Sequence, residues 1–362
     1  MPGLRRERGW EVKAPFPYFG GSAVIAGEVW DAIGDVGHYI EPFAGSLAVL
    51  LARPSWHKGN IESVNDADCL LANVWRGLQF DPDGCAKWAD WPVNHVDLKA
   101  RTKWLIENKD RLRAGLAADP KFFDAEAAGY WIWAASCWIG SGMTCPNQIP
   151  HIGDGGKGIH AMGQRPHIGD GGKGIHAMGQ IPHISDGGMG IHAMGQIPHI
   201  SNGGMGAPFN TNIYETFRAL QERLRYVRVV CGDWTQVSGG DWQTRNGVCG
   251  YFADPPYSDV ATRDAGIYDE DSLTVAHDVR AWMIARDHDP LMRMVLKGYF
   301  EEHEELLARG WRVHKWSAQG GYASLAGAGG GNSVGQDNRH REALFFSPSC
   351  LDPSQPSLFG TP

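Results

Sequence analysis

The chain of 362 residues carries 33 Lys and Arg against 41 Asp and Glu, a net charge of −8, with 43% hydrophobic and 20% charged residues. That balance supplies a core for about two domains, or for one large domain with an insertion, and excludes a uniformly basic nucleic-acid coat, though not a local basic face. The seven scattered Cys contain no CxxC pair, which excludes a disulfide framework and leads us to expect a reduced, cytoplasmic chain.

The first residues, "MPGLRRERGWEVKAPFP", are charged and lack a long apolar segment, so a signal peptide is not expected. No run of 18 apolar residues suggests a membrane span, and no obligate protein partner is evident. Residues 22–33 read as a helix, capped by Ser22, with Ile25/Val29 and Ala26/Trp30 four apart and Gly34 at its end. "HYIEPFAGS" follows as a short strand and tight loop. "LAVLLARP" is the next helix, with Ser46 as its cap. "NIESV" is a strand, and "DADCLLANVWRGLQ" a helix with Leu70, Leu71, Val74, Trp75 and Leu78 on one face. The alternation predicts a mostly parallel α/β sheet.

Residues 91–139 read as helical, and "GYWIWAASCWIG", apolar all round, as a buried helix. A repeat of period 16 follows, starting at Pro150, Pro166 and Pro182, with a decaying fourth copy from Pro198. Its Gly-rich units suit a loop stack or small hairpins. Lys157, Arg165 and Lys173 are balanced by Asp154, Asp170 and Asp186, so it is not a basic arm. The histidines recur because the unit recurs, and no Cys or paired carboxylate joins them at ligand spacing, so no metal is expected. After Pro208 the α/β pattern resumes. "NIYETFRALQERL", "SLTVAHDVRAWMIARD" and "EEHEELLARG" are helices. "YVRVVCGDW", "GVCGYFAD", "LMRMVLKG", "WRVHKWS" and "EALFFSP" are strands, the last two joined by a Gly-rich loop that lacks a Walker ending.

Three stretches carry chemistry. In "EPFAGS", residues 41–46, a strand ends in an acid and a glycine turn where a ligand can approach the backbone. Alone it is an ordinary βα turn. In "NIESVND", residues 60–66, an acid follows about 20 residues later, placed for ribose hydroxyls; Glu62 is the candidate, against the plainer reading of a surface acid. In "ADPPY", Asp254 stands just past a strand that Pro255 and Pro256 cannot extend. The Asp254 carboxylate and the Pro255 carbonyl can accept from an exocyclic amine on a nucleobase, keeping its lone pair toward an incoming methyl group. The prolines fix these acceptors, and the Tyr257 ring can stack on an extruded base.

"PFPYFGG", "EPFAGS", "ESVND" and "DPPY" occur in the order seen in Dam-like adenine-N6 DNA methyltransferases. Stretches such as "VNDADCLLANVWRGLQFDPD", "ADWPVN", "CGDW" and "REALFFSP" resemble the DNA methylases of actinobacterial bacteriophages. The resemblance spans most of residues 14–348. It implies a Rossmann-like, S-adenosylmethionine-dependent methyltransferase sheet over 14–90 and 208–348, with a helical and Gly/His-repeat insertion at 91–207 for target recognition and a tail at 349–362. It implies methylation of adenine N6 in double-stranded DNA by base flipping, in the cytoplasm of a host bacterium.

By motif, Tyr18 and Gly20–Gly21 lie against the cofactor, followed by Ser22. Glu41, Phe43 and Gly45 form the cofactor loop, and Glu62 holds the ribose, with Ser63 as the alternative alignment. Asp233 lies near the adenine of the cofactor. Asp254, Pro255, Pro256 and Tyr257 form the catalytic corner, with Asp254 also touching the cofactor side. The position of the repeat in the recognition insertion leads us to expect phosphate contacts from Lys157, Arg165 and Lys173. Two departures stand out. The family usually has Lys where this chain has Ser22, and losing a charge-assisted bond to the cofactor carboxylate costs about 1.5–3 kcal/mol. The glycine turn often reads GSG, where this chain has Leu47, which can begin the helix and face the core. Methylation of cytosine N4 or of RNA, and a DNA-binding protein that has lost catalysis, are the alternatives.

Overall fold

The computed structural model describes residues 12–16, 18, 22–56, 59–138, 143–144, 213–240, 242–257, 274–316 and 341–352. The 16-residue repeats with Lys157, Arg165 and Lys173, the Gly20–Gly21 turn and almost all of the late Gly-rich loop lie outside these residues. The protein is an α/β structure built on one seven-stranded, mostly parallel sheet. Its strands are β1 (His38–Glu41), β2 (Ile61–Asp66), β3 (Val227–Cys231), β4 (Cys249–Ala253), β5 (Met292–Tyr299), β6 (Arg312–Lys315) and β7 (Glu342–Phe346). The order across the sheet is β3-β2-β1-β4-β5-β7-β6, with β7 antiparallel to both of its neighbours.

Burial explains the strand sequences. Every residue of β1 and of β4 is buried. The β4 sequence, CGYFA, carries no charged residue, as is usual of parallel strands covered on both faces, whereas β1 buries His38 and Glu41 at its two ends. The helix α1 (Ala26–Ile33) approaches β4 so closely that a Cβ on Gly250 would stand 2.4 Å from Ile33 Cγ2. At the sheet edge, α3 (Cys69–Phe80) supplies what β3 lacks. Arg76 donates to the Val229 carbonyl at 3.1 and 3.2 Å, and Gln79 to those of Leu224 and Val227. These bonds satisfy carbonyls that burial would otherwise strand.

The helical region is α4 (Pro82–Ala89), α5 (His95–Glu107), α6 (Lys109–Ala118) and α7 (Ala125–Cys137), with α8 (Ile213–Leu224) resuming after the repeats. Leu98, Leu105, Leu112 and Ile132 belong to the same apolar core as Val64 and Val227 of the sheet. The helices therefore share a core with the sheet. Within them Arg101 is buried, its guanidinium within 4.6 Å of the ring centres of Trp91, Tyr130 and Trp133, and it donates to the Trp88 carbonyl. Cation–π contact offsets the desolvation of that charge.

Two helix starts differ from expectation. Ser22 does not cap α1, whose N-cap is Ile25 without a side-chain hydrogen bond; the Ser22 hydroxyl is engaged elsewhere, as described below. The helix after the glycine turn, α2, is only Ala48–Leu51, and its N-cap is Leu47 at φ 52°, not Ser46. Leu47 is fully buried, so side-chain burial holds a left-handed backbone that costs roughly 1–2 kcal/mol. Gly34 ends α1 as expected, its N–H donating to the Trp30 carbonyl. After β3 come the short α9 (Thr235–Ser238) and, between β4 and β5, α10 (Val275–Ile284). "EEHEELLARG" forms a helical turn, α11 (Phe300–His303), and a 3₁₀ helix (Glu304–Arg309) rather than one α-helix. No described helix is long and apolar enough to cross a membrane.

Candidate active site

Chain order runs outward from β1 through β2 to β3, then from β4 outward, so the reversal falls between the neighbouring strands β1 and β4. In open α/β sheets, ligands settle outside the carboxyl ends of the strands at such a reversal. Glu41 ends β1, and Asp254 follows β4 directly. Beside them, Asp66 ends β2 and Asp233 follows β3 by two residues. The crevice edge is therefore lined with carboxyl groups from four adjacent strands.

The glycine turn is fastened from below. Gly45 N–H donates to Asp66 Oδ2 at 2.9 Å, and Trp75 Nε1 donates to the Gly45 carbonyl at 2.9 Å. Gly45 sits at φ 47° with the Tyr18 ring over it; a Cβ there would lie 2.9 Å from Tyr18 Cε1. Left-handed backbone and close approach both require glycine. The structure thus brings Tyr18 and Gly45 together, and Phe43, half-buried, follows Glu41 on the same loop. Asp66 also accepts from Asp68 N–H. Burial pushes its carboxyl up to about 6, against the pull of these two backbone N–H groups.

Glu41 is buried and accepts from the Tyr39 hydroxyl at 3.0 Å. Burial pushes its carboxyl up to about 8, the Tyr39 hydrogen bond opposes this, and the nearby charge of Asp254 adds to it. A cation entering the crevice would favour the ionised form.

The Asp254 corner is the best-connected part of the site. Asp254 Oδ2 accepts from Ser22 Oγ at 2.8 Å and from Lys297 Nζ at 2.9 Å, and Lys297 Nζ lies 3.3 Å from Ser22 Oγ. Leu296 of β5 pairs with Ala253 of β4, so sheet register carries Lys297 alongside Asp254. Its ammonium thus lies beside Ser22, the position at which the resemblance leads one to expect Lys. Pro255 is buried and Pro256 half-buried. The Tyr257 ring packs on Tyr299 with centroids 4.1 Å apart, and its hydroxyl donates to Glu342 Oε1 at 3.2 Å. Arg341 lies over the Tyr299 ring at 4.4 Å. Burial raises the Glu342 carboxyl, with Lys297 pulling the other way.

Glu62 is not at the crevice. It is the second residue of β2, four residues before Asp66, roughly 13 Å along the strand from its carboxyl end. Glu62 Oε1 accepts from Arg53 Nη1 at 3.2 Å and Arg223 Nη2 at 2.9 Å, and Oε2 from Arg223 Nη1 at 2.6 Å. Both oxygens are committed to buried guanidinium groups, which leaves no place for a ribose. Ser63, the alternative alignment, lies one residue further along β2 but still three before Asp66, and bonds His38. The acid that stands 21 residues after Gly45 at the strand end is Asp66. Asp233 is exposed, and its Oδ1 accepts from the N–H and hydroxyl of Thr235, the first residue of α9.

Sequence reasoning passed over Asp66, Lys297, Tyr299 and Glu342. Signals for two of them were present. Lys297 is a charge late in an otherwise apolar strand, and Asp66 ends "NIESVND" at the glycine-to-acid spacing that Glu62 only approximates. Glu342 opens β7, far away in sequence, and only pairing with Tyr299 brings it here. No family model matches the chain, and no curated protein matches it.

Proposed function

We propose that the protein is a DNA methyltransferase that transfers a methyl group from S-adenosylmethionine to adenine N6, as the Dam-like resemblance of its motifs implies. The observation that carries this reading is Asp254: a carboxylate beyond β4, held by Lys297 and Ser22 and stiffened by Pro255 and Pro256, at the point where the strand order reverses. The donor set suits the cofactor. Carboxyl groups at Glu41, Asp66 and Asp254 favour a ligand bearing sulfonium and ammonium charges, and the half-buried Tyr18 ring over Gly45 offers an aromatic face at that turn.

When bound, S-adenosylmethionine supplies a sulfonium methyl, whose carbon–sulfur electron pair returns to sulfur as the amine nitrogen bonds to carbon. Asp254 and the Pro255 carbonyl accept from the amine hydrogens, orient its lone pair and stabilise the positive charge that grows on nitrogen. The proton then shed by nitrogen passes to solvent. Tyr257, backed by Tyr299, provides an aromatic wall for the base. DNA is the substrate in this reading, and the protein works in the cytoplasm beside it. Incubation with unmethylated DNA and labelled cofactor, then nucleoside digestion, tests it: N6-methyladenine is the expected product. N4-methylcytosine alone would move the assignment to cytosine, and no methylated nucleoside would overturn the reading.

A further inference from the structure

Lys297 is an ammonium with a side chain only 3% exposed, inside a strand whose neighbours are apolar. Burying it costs several kcal/mol, and apolar replacements of buried ion pairs are often neutral or stabilising. Stability alone is therefore a poor reason for a lysine here. Its ammonium and the Ser22 hydroxyl both donate to the same oxygen, Asp254 Oδ2. Among the described residues, Oδ1 has no such donor. Lys297 is the one cation that the described residues place in an ion pair with Asp254.

We propose that Lys297 and Ser22 form a clamp that fixes Asp254 Oδ2 and presents Oδ1 to the exocyclic amine, which makes Lys297 a positioning residue for methyl transfer. The inference rests on the proposed reaction and adds a residue that none of the four sequence motifs contains. The cation needed beside Asp254 comes from β5, so Ser22 completes the corner as a second donor.

The test measures kcat and KM for cofactor with unmethylated DNA, together with S-adenosylhomocysteine affinity by calorimetry, on the full-length protein. Lys297→Met should lower kcat about 100-fold, the size of losing one preorganised electrostatic contact, while cofactor KM and S-adenosylhomocysteine affinity move less than about threefold. Lys297→Arg should recover about tenfold of that loss, because a guanidinium still donates to the carboxylate. Ser22→Ala, which removes one neutral donor, should lower kcat about tenfold. The exchange Ser22→Lys/Lys297→Ser returns the cation from the other side and should be more active than Lys297→Ser alone.

A folded Lys297→Met protein with kcat within about threefold of the parent would overturn the clamp. So would an equal loss of kcat and cofactor affinity, which would make Lys297 a ligand-binding group. If Lys297→Met fails to melt cooperatively, Ser22→Ala and the exchange decide, and unchanged kcat in Ser22→Ala or no recovery in the exchange overturns it. Absence of N6-methyladenine with the parent protein is a different outcome, seen before any substitution, and removes the reaction itself.

Discussion

Glu62 and Asp254 are carboxylates on parallel strands two places apart in the sheet, and each is paired with a buried cation. Glu62 lies near the start of β2, its side chain 2% exposed, with two arginines closing both oxygens. Asp254 lies past the end of β4, its side chain 21% exposed, with both donors on Oδ2. The first arrangement ties α2, β2 and α8 together, because Arg223 also donates to the Leu50 carbonyl and Arg53 to that of Val36. The second leaves Oδ1 without a donor among the described residues. A carboxylate becomes available for chemistry when its strand ends at the ligand edge and its partners take one oxygen, not two.

Replacing each acid sharpens this contrast. Glu62→Gln should destabilise the fold by about 3–5 kcal/mol, since it removes the counter-charge of buried Arg223 and leaves buried Arg53 only the exposed carboxylate of Asp35. Urea unfolding measures this, and the folded fraction should keep its cofactor KM; a specific rise in KM would return Glu62 to the ribose. Asp254→Asn should act in the opposite sense, lowering kcat about 10²–10³-fold with much less effect on S-adenosylhomocysteine affinity. Methyl transfer retained at parental rate would remove Asp254 from the reaction.

Leu47 tests the glycine turn between these two acids. Leu47→Gly relieves the left-handed backbone but empties a fully buried site, so a net loss of about 2 kcal/mol is expected in urea unfolding. A gain in stability would mean that strain outweighs burial there.

The smallest effect concerns Glu41. Its carboxyl rises from 4.5 to about 8 in the fold. The folded state therefore keeps a proton that the unfolded chain has lost, and this group makes stability fall as pH rises through that range. Asp66 contributes in the same direction up to about pH 6. Buried His303, lowered from 6.5 to about 3 by burial, works the other way, costing stability as pH drops below 6.5. Glu41 is thus isolated from both between pH 6.5 and 8, where unfolding free energy should fall by up to about 1.4 kcal/mol per pH unit. Glu41→Gln should flatten that slope, as urea unfolding across the range would register. A parental slope unchanged in the variant would assign the dependence to another group.

Much of this architecture was legible in the sequence. Alternating helix and strand patterns located all seven strands and the buried α7, because burial leaves apolar runs; the antiparallel direction of β7 came only from its pairing in the sheet. "EPFAGS" and "ADPPY" were legible as strand-end loops for local reasons: glycine and proline restrict the backbone wherever they stand. Glu62 was misplaced because an acid's role depends on which end of the strand it occupies and on Arg53 and Arg223, the latter 161 residues away in sequence. Ser22 was misread as a helix cap because its partner, Asp254, lies 232 residues on.

By itself, then, the sequence determined the local conformations and the order of the motifs, since backbone preference and apolar periodicity act over a few residues. The tertiary structure alone decided which charges meet. Sheet register set Lys297 beside Asp254 and Glu342 opposite Tyr299, and the reversal of strand order put the ends of β1 and β4 side by side. Hydrogen bonds and ion pairs act over a few ångströms, and only the folded chain brings residues hundreds of positions apart within that reach.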